Sequence, residues 1–137
     1  MREGNMRQRS FSRRHIAIVD NDRSVLRAAA RFFESNSLPA KTYTSASEFL
    51  GSLEVEVPSC LVTDLQMPKM DGLQLLRHLA GNGYRIPTIV ITANDAPGIR
   101  RRCELAGAML FLSKPANLDS LLKAAQSAME WELVKYG

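Results

Sequence analysis

Four stretches of this chain place chemistry-bearing side chains where apolar runs stop. Ile16-Ala17-Ile18-Val19 runs straight into Asp20-Asn21-Asp22, the run from Cys60 stops at Asp64, the run from Thr88 ends on Thr92, and a fourth delivers Ser113-Lys114 just ahead of Pro115. Taken singly, each has a plain structural explanation. Asp22 suits the cap of a helix starting at Arg23, Thr92 is a β-branched residue at home at a strand end, and a lysine before a proline is an ordinary surface feature. As a set, two acids, a hydroxyl and an ammonium at four strand ends are a poor accident if those ends share one edge.

The chemistry open to such a set is narrow. Carboxylates held ~4 Å apart repel by about 4 kcal/mol at an effective dielectric near 20, so the cluster calls for a cation. Hard oxygen donors, few of them charged and with waters completing the shell, suit Mg2+. A carboxylate beside that ion is equipped to accept a phosphoryl group, with metal and ammonium neutralising charge on the transferring oxygens. On this reading Asp64 is the nucleophile, Lys114 the phosphate counter-charge, and Thr92 a hydrogen-bond donor to the new phosphate.

These residues meet only on a suitable scaffold. Strand-like runs at Ile16–Val19, Ala40–Tyr43, Cys60–Thr63, Thr88–Thr92 and Met109–Leu112 alternate with helix-period segments. The first helix spans about Arg23 to Ser35, with Val25, Leu26, Ala29, Ala30, Phe32 and Phe33 as its apolar stripe. The second runs from about Ser47 to Leu53. The third follows Asp71-Gly72, points Leu73, Leu76 and Leu79 inward, and stops at Gly81-Asn82-Gly83. The fourth lies near Pro97 to Leu105. The fifth starts near Asn117 and carries Leu118, Leu121, Leu122, Ala125 and Met129. Five β-α units in series predict a parallel sheet with helices on both faces. Ligands of such sheets bind outside the carboxyl ends of the strands.

A chain of 137 residues with 45% apolar and 23% charged content supports one core and excludes collagen-like, disordered and membrane classes. Its net charge of +4 is local: Arg2, Arg7, Arg9, Arg13 and Arg14 face only Glu3 in residues 1–14, and the rest is balanced. That leader reads as a flexible basic arm ahead of a domain at 15–137. It lacks the apolar segment of a signal peptide, so a cytoplasmic location is expected. Cys60 and Cys103 have neither metal-ligand spacing nor a disulfide framework, and no other metal-ligand residue type stands at binding spacing from His15 or His78 in the sequence, so surface or packing roles are expected for both.

The segments Val62-Thr-Asp-Leu-Gln-Met-Pro-Lys-Met-Asp-Gly72, Val19-Asp-Asn-Asp22, Val90-Ile-Thr-Ala93 and Gly107-Ala-Met-Leu-Phe-Leu-Ser-Lys-Pro115 together resemble the receiver domain of two-component response regulators. The resemblance covers about His15 to Tyr136. It implies an α/β fold, a doubly wound, flavodoxin-like five-stranded parallel sheet in strand order 2-1-3-4-5 with five helices. It implies that Asp64 takes a phosphoryl group from a histidine kinase or phosphotransfer protein, and that Mg2+ is held by Asp20, Asn21, Asp64 and the backbone carbonyl of Gln66. Thr92 and Lys114 would engage the phosphoryl group, Phe111 would be the aromatic switch residue, and the bond before Pro115 would be cis. The switching surface would be that of the fourth helix, fifth strand and fifth helix. The implied protein is a switch rather than a turnover enzyme, acting on an effector domain or downstream protein, with no nucleic-acid or membrane contact of its own.

Asn21 departs from the pattern, because most receivers have a second acid there. An amide oxygen still ligates but without charge, so Mg2+ is expected to bind weaker by about 1 to 2 kcal/mol. Two other readings stay open. Asn21 is the sole support for a degenerate receiver that binds partners without being phosphorylated. Asp20-x-Asp22 also fits a haloacid-dehalogenase-like phosphohydrolase with Asp20 as nucleophile, although no downstream acidic pair completes it. Arg100, Arg101 and Arg102 read as a solvated face, and Trp131 on the fifth helix is the candidate for a homodimer contact. No second domain is read after the fifth helix.

Overall fold

The computed structural model describes residues 14–94 and 96–136, with side chains through residue 130. Almost all of the basic arm and the Trp131 side chain therefore lie outside the described residues. Five strands form a single parallel sheet: β1 (Ile16–Val19), β2 (Ala40–Tyr43), β3 (Cys60–Asp64), β4 (Thr88–Thr92) and β5 (Leu110–Ser113). Their order is β2-β1-β3-β4-β5, every neighbouring pair parallel. This is the doubly wound arrangement expected from the β-α alternation.

Between the strands run α1 (Arg23–Ser35), α2 (Ala46–Ser52), α3 (Gly72–Gly81), α4 (Ile99–Leu105) and, after β5, α5 (Leu118–Tyr136). Side chains alternate across a strand, which divides the core in two. Ile16, Ile18, Val62, Ile89 and Ile91 face α1 and α5, where Leu26, Ala29, Phe33, Leu121, Ala125, Ala128 and Met129 meet them. Ala17, Val19 and Leu61 face α2 and α3 on the opposite side, against Ala46, Phe49, Leu75 and Leu79. A third cluster joins α3 to α4 through Leu65, Leu73, Leu76, Val90, Cys103, Ala108 and Phe111. The inner strands β1, β3 and β4 are buried along their whole length. β2 is an edge strand with Lys41 and Thr42 exposed.

Local chemistry sets the helix ends. Asp22 caps α1 by accepting the Ser24 and Val25 amides. Asp71 and Gln74 cap α3 reciprocally, each side chain accepting the other's backbone N–H. α2 begins earlier than expected, because Ser45 accepts the Glu48 amide and Glu48 in turn accepts the Thr44 amide. α4 begins later than expected: Gly98, at φ 83°, precedes it in a left-handed conformation and offers no side-chain cap. No helix among the described residues is long and apolar enough to cross a membrane.

Candidate functional site

The site lies at the carboxyl edge of the sheet, and backbone hydrogen bonds fix each contributor before side chains are considered. The Asp20 amide bonds the Tyr43 carbonyl at the end of β2, at 3.1 Å. The Leu65 amide, just past Asp64, bonds the Ile91 carbonyl at 3.1 Å, and the Lys114 amide bonds the Thr92 carbonyl at 2.9 Å. In-register pairing then sets Asp64 beside Ile91 and Thr92 beside Ser113. Asp20, Asp64, Thr92 and Lys114 reach one edge because four parallel strands end there.

Lys114 joins the two acids. Its Nζ donates to Asp20 Oδ2 and to Asp64 Oδ2, each at 3.1 Å. The carboxylates are nearly buried, Asp20 being 4% and Asp64 7% exposed. Their other oxygens are also engaged: Asp20 Oδ1 accepts the Asp22 amide at 2.9 Å, and Asp64 Oδ1 accepts the Gln66 amide at 3.2 Å. Burial acts to lower the ionisation point of Lys114, but the hydrogen bonds and negative charge of Asp20 and Asp64 outweigh it and leave the group above its ordinary value. Lys114 is thus a fixed cation between two acids.

Thr92 is fully buried, and its Oγ1 accepts the Asn94 amide at 3.0 Å, which orients the hydroxyl within the β4–α4 turn. The Lys114-Pro115 bond is cis, as expected. Asp64, Asp20 and Lys114 share the wall of a cleft of about 500 Å3 whose other lining, including Val25, Ala28, Pro115 and Leu118, is apolar. Asn21 is exposed on the turn after β1. Asp22 does not replace the missing acid, because its carboxylate is committed to the first turn of α1. Phe111 is buried in the α3–α4 cluster.

Each donor expected at this edge is a hard oxygen, which is the ligand type of Mg2+. The fit is with a low charge count: among the described residues no three His, Cys, Asp or Glu side chains gather closely enough for a metal ion. A cation here would rest on two carboxylates and neutral oxygens.

Two features of the site escaped the sequence reading. Gly72 is packed so tightly that a Cβ would stand 2.6 Å from the Asp64 carbonyl oxygen, and its amide bonds the Leu65 carbonyl at 2.8 Å. The Asp-Gly pair after the Met-Pro motif was the available signal. Arg100, exposed with Arg101 and Arg102 as the expected solvated face, also reaches β5: its Nη2 donates to the Phe111 carbonyl at 3.1 Å, and its guanidinium lies 5.4 Å from the Phe111 ring centroid. Nothing in the local spacing marks that contact.

Comparison with known proteins gives the family and the fold. The response regulator receiver domain family matches residues 16–126. The response regulator protein TmoT of Ectopseudomonas mendocina is 36% identical over 115 residues, covering 84% of this chain and 52% of that protein. The chain thus spans about half the length of the curated relatives it matches. Among solved structures, FixJ-N is 33% identical with a TM-score of 0.78, covering 85% of this chain and 94% of that one. A response regulator receiver protein from Burkholderia phymatum is 36% identical with a TM-score of 0.75, covering 86% and 96%. With the matching profile spanning β1 to α5 and the acids and lysine gathered at one sheet edge, the chain belongs to the receiver domains of two-component response regulators.

Proposed function

We propose that this domain takes a phosphoryl group onto Asp64 from a phosphohistidine donor, either a histidine kinase or a phosphotransfer protein, in a reaction that depends on Mg2+. The observation that carries the reading is the contact of Lys114 Nζ with both Asp20 and Asp64 at 3.1 Å. In the transfer, an Asp64 oxygen forms a P–O bond as the donor's P–N bond breaks, and the departing imidazole takes its proton from solvent. Lys114 shifts its hydrogen bonds from the Asp64 carboxylate to a phosphoryl oxygen, while the Thr92 hydroxyl turns from the Asn94 amide to donate to another. Asp20 and Asp64, with the Asn21 amide oxygen and Gln66 carbonyl as neutral donors, would hold Mg2+, which when bound neutralises charge on the phosphoryl oxygens.

Added negative charge at Asp64 draws Thr92 and Lys114 inward, and Phe111 transmits that change to the face of α4, β5 and α5. The target is an effector domain or a separate downstream protein. The geometry speaks against Asp20 as nucleophile in a D-x-D pair, because Asp22 is spent on capping α1. A degenerate receiver is disfavoured by the intact Asp64, Thr92 and Lys114. Exposure to acetyl phosphate with Mg2+, followed by locating the modified residue, separates the three: Asp64 is expected, Asp20 selects the hydrolase, and no modification selects the degenerate receiver.

A further inference from the structure

Arg100 stands in the first turn of α4 and grips one residue of β5 in two ways. Its Nη2 donates to the Phe111 backbone carbonyl at 3.1 Å while its guanidinium lies 5.4 Å from the centroid of the same ring. Phe111 is only 8% exposed, packed in the cluster that includes Val90, Cys103 and Ala108. Beside it opens a cleft of about 530 Å3 lined by Pro97, Arg100, Glu104, Phe111 and Ser113, so the ring has room to turn outward. α4 itself is loosely anchored: Cys103 is its one buried residue, and no side chain caps its start. Arg101, next along the helix, makes neither contact with Phe111.

We propose that Arg100 is a positioning residue that clamps Phe111 in its buried orientation and thereby biases the α4–β5–α5 face before any phosphoryl group arrives. A guanidinium over an aromatic ring at an exposed site favours the contact geometry by an amount equivalent to about a two- to fivefold population shift. The clamp rests on the two contacts alone, whereas its link to signalling rests on the phosphoacceptor reading given above.

The five phenylalanines allow a direct readout. The chain is labelled with 4-fluorophenylalanine, the Phe111 resonance is assigned by its loss in Phe111→Leu, and its broadening by a soluble nitroxide is measured. Arg100→Ala is expected to raise that broadening about threefold or more, Arg100→Lys to restore part of the protection, and Arg101→Ala to leave it unchanged. Equal protection in wild type and Arg100→Ala overturns the clamp, as does an equal effect of Arg101→Ala. If Arg100→Ala does not fold, Arg100→Gln, which keeps a donor but loses the cation, is read in the same way.

A titration with Mg2+ and beryllofluoride tests the link. Wild type that fails to bind refutes the phosphoacceptor reading and with it the bias, while the nitroxide measurement still decides the clamp. Movement of Thr92 toward the phosphoryl group leaves space that an inward Phe111 fills, so a buried ring favours the bound state: binding weakened about threefold or more in Arg100→Ala supports the bias, and unchanged or tightened binding overturns it.

Discussion

Gly72 and Asp64 are in backbone contact: a β-carbon on Gly72 would lie 2.6 Å from the Asp64 carbonyl oxygen and 2.9 Å from the Leu65 Cα. The glycine lets α3 start directly against the strand end that carries the central acid. Gly72→Ala must push that strand end or the helix aside, and overpacking of this kind costs about 1 to 3 kcal/mol. A lowered urea midpoint is expected, together with weaker beryllofluoride binding because Asp64 shifts with its backbone. Gly51 in α2, with nothing near its missing Cβ, is the control. Gly51→Ala is expected to raise stability by about 0.5 to 1 kcal/mol.

Asn21 separates this domain from receivers with two adjacent acids, and Asp22 is turned away into α1. Asn21→Asp is expected to tighten Mg2+ binding roughly tenfold, the effect of about 1.4 kcal/mol from one added charge. Calorimetric titration of both proteins measures it. Equal affinities would show that this position does not contribute to the metal site.

Lys114 gives a pH signature. Its ionisation point is raised in the folded state, burial being outweighed by Asp20 and Asp64. Its stabilising contribution is therefore complete below the ordinary lysine range and disappears as pH climbs through the folded value. The stability difference between wild type and Lys114→Met is expected to be constant near neutrality and to shrink in the alkaline region. A series of urea melts across that range checks it, and a difference that grew with pH would contradict the assignment.

Lys69 occupies the left-handed region at φ 69° in the loop between Asp64 and α3. A side chain there is strained by about 1 to 2 kcal/mol, part of which glycine would forfeit to unfolded-chain entropy. Lys69→Gly is expected to gain about 0.5 to 1 kcal/mol in thermal or urea unfolding, with Asp64 still reactive toward acetyl phosphate.

The sheet was legible because buried parallel strands have few alternatives: Ile16 to Val19 is wholly apolar, and Thr88 to Thr92 carries three apolar residues between its terminal threonines, both strands being buried throughout. The meeting of Asp20, Asp64 and Lys114 followed from topology, since polar residues at parallel strand ends converge. Positions that serve two neighbours were harder to read. Leu75 is fully buried but falls outside the Leu73, Leu76, Leu79 spacing, because α3 packs into two clusters rather than along one stripe. Ala128 is buried through close approach of α5 to the sheet, which its size alone does not advertise. Val25, in the expected stripe of α1, is 39% exposed beside the site cleft. The Arg100–Phe111 contact joins a helix to a strand, and no periodicity within either element encodes it.

Asp20 and Lys114 are separated by 94 positions, yet both must touch for the central cluster to exist. Three strand pairings lie between them, β1 with β3, β3 with β4, and β4 with β5. A nascent polypeptide stopped short of its last strand thus carries the acids without their ammonium. The two-acid, one-lysine cluster is for that reason a property of the finished sheet, present when its last strand is in place and absent when that edge is open.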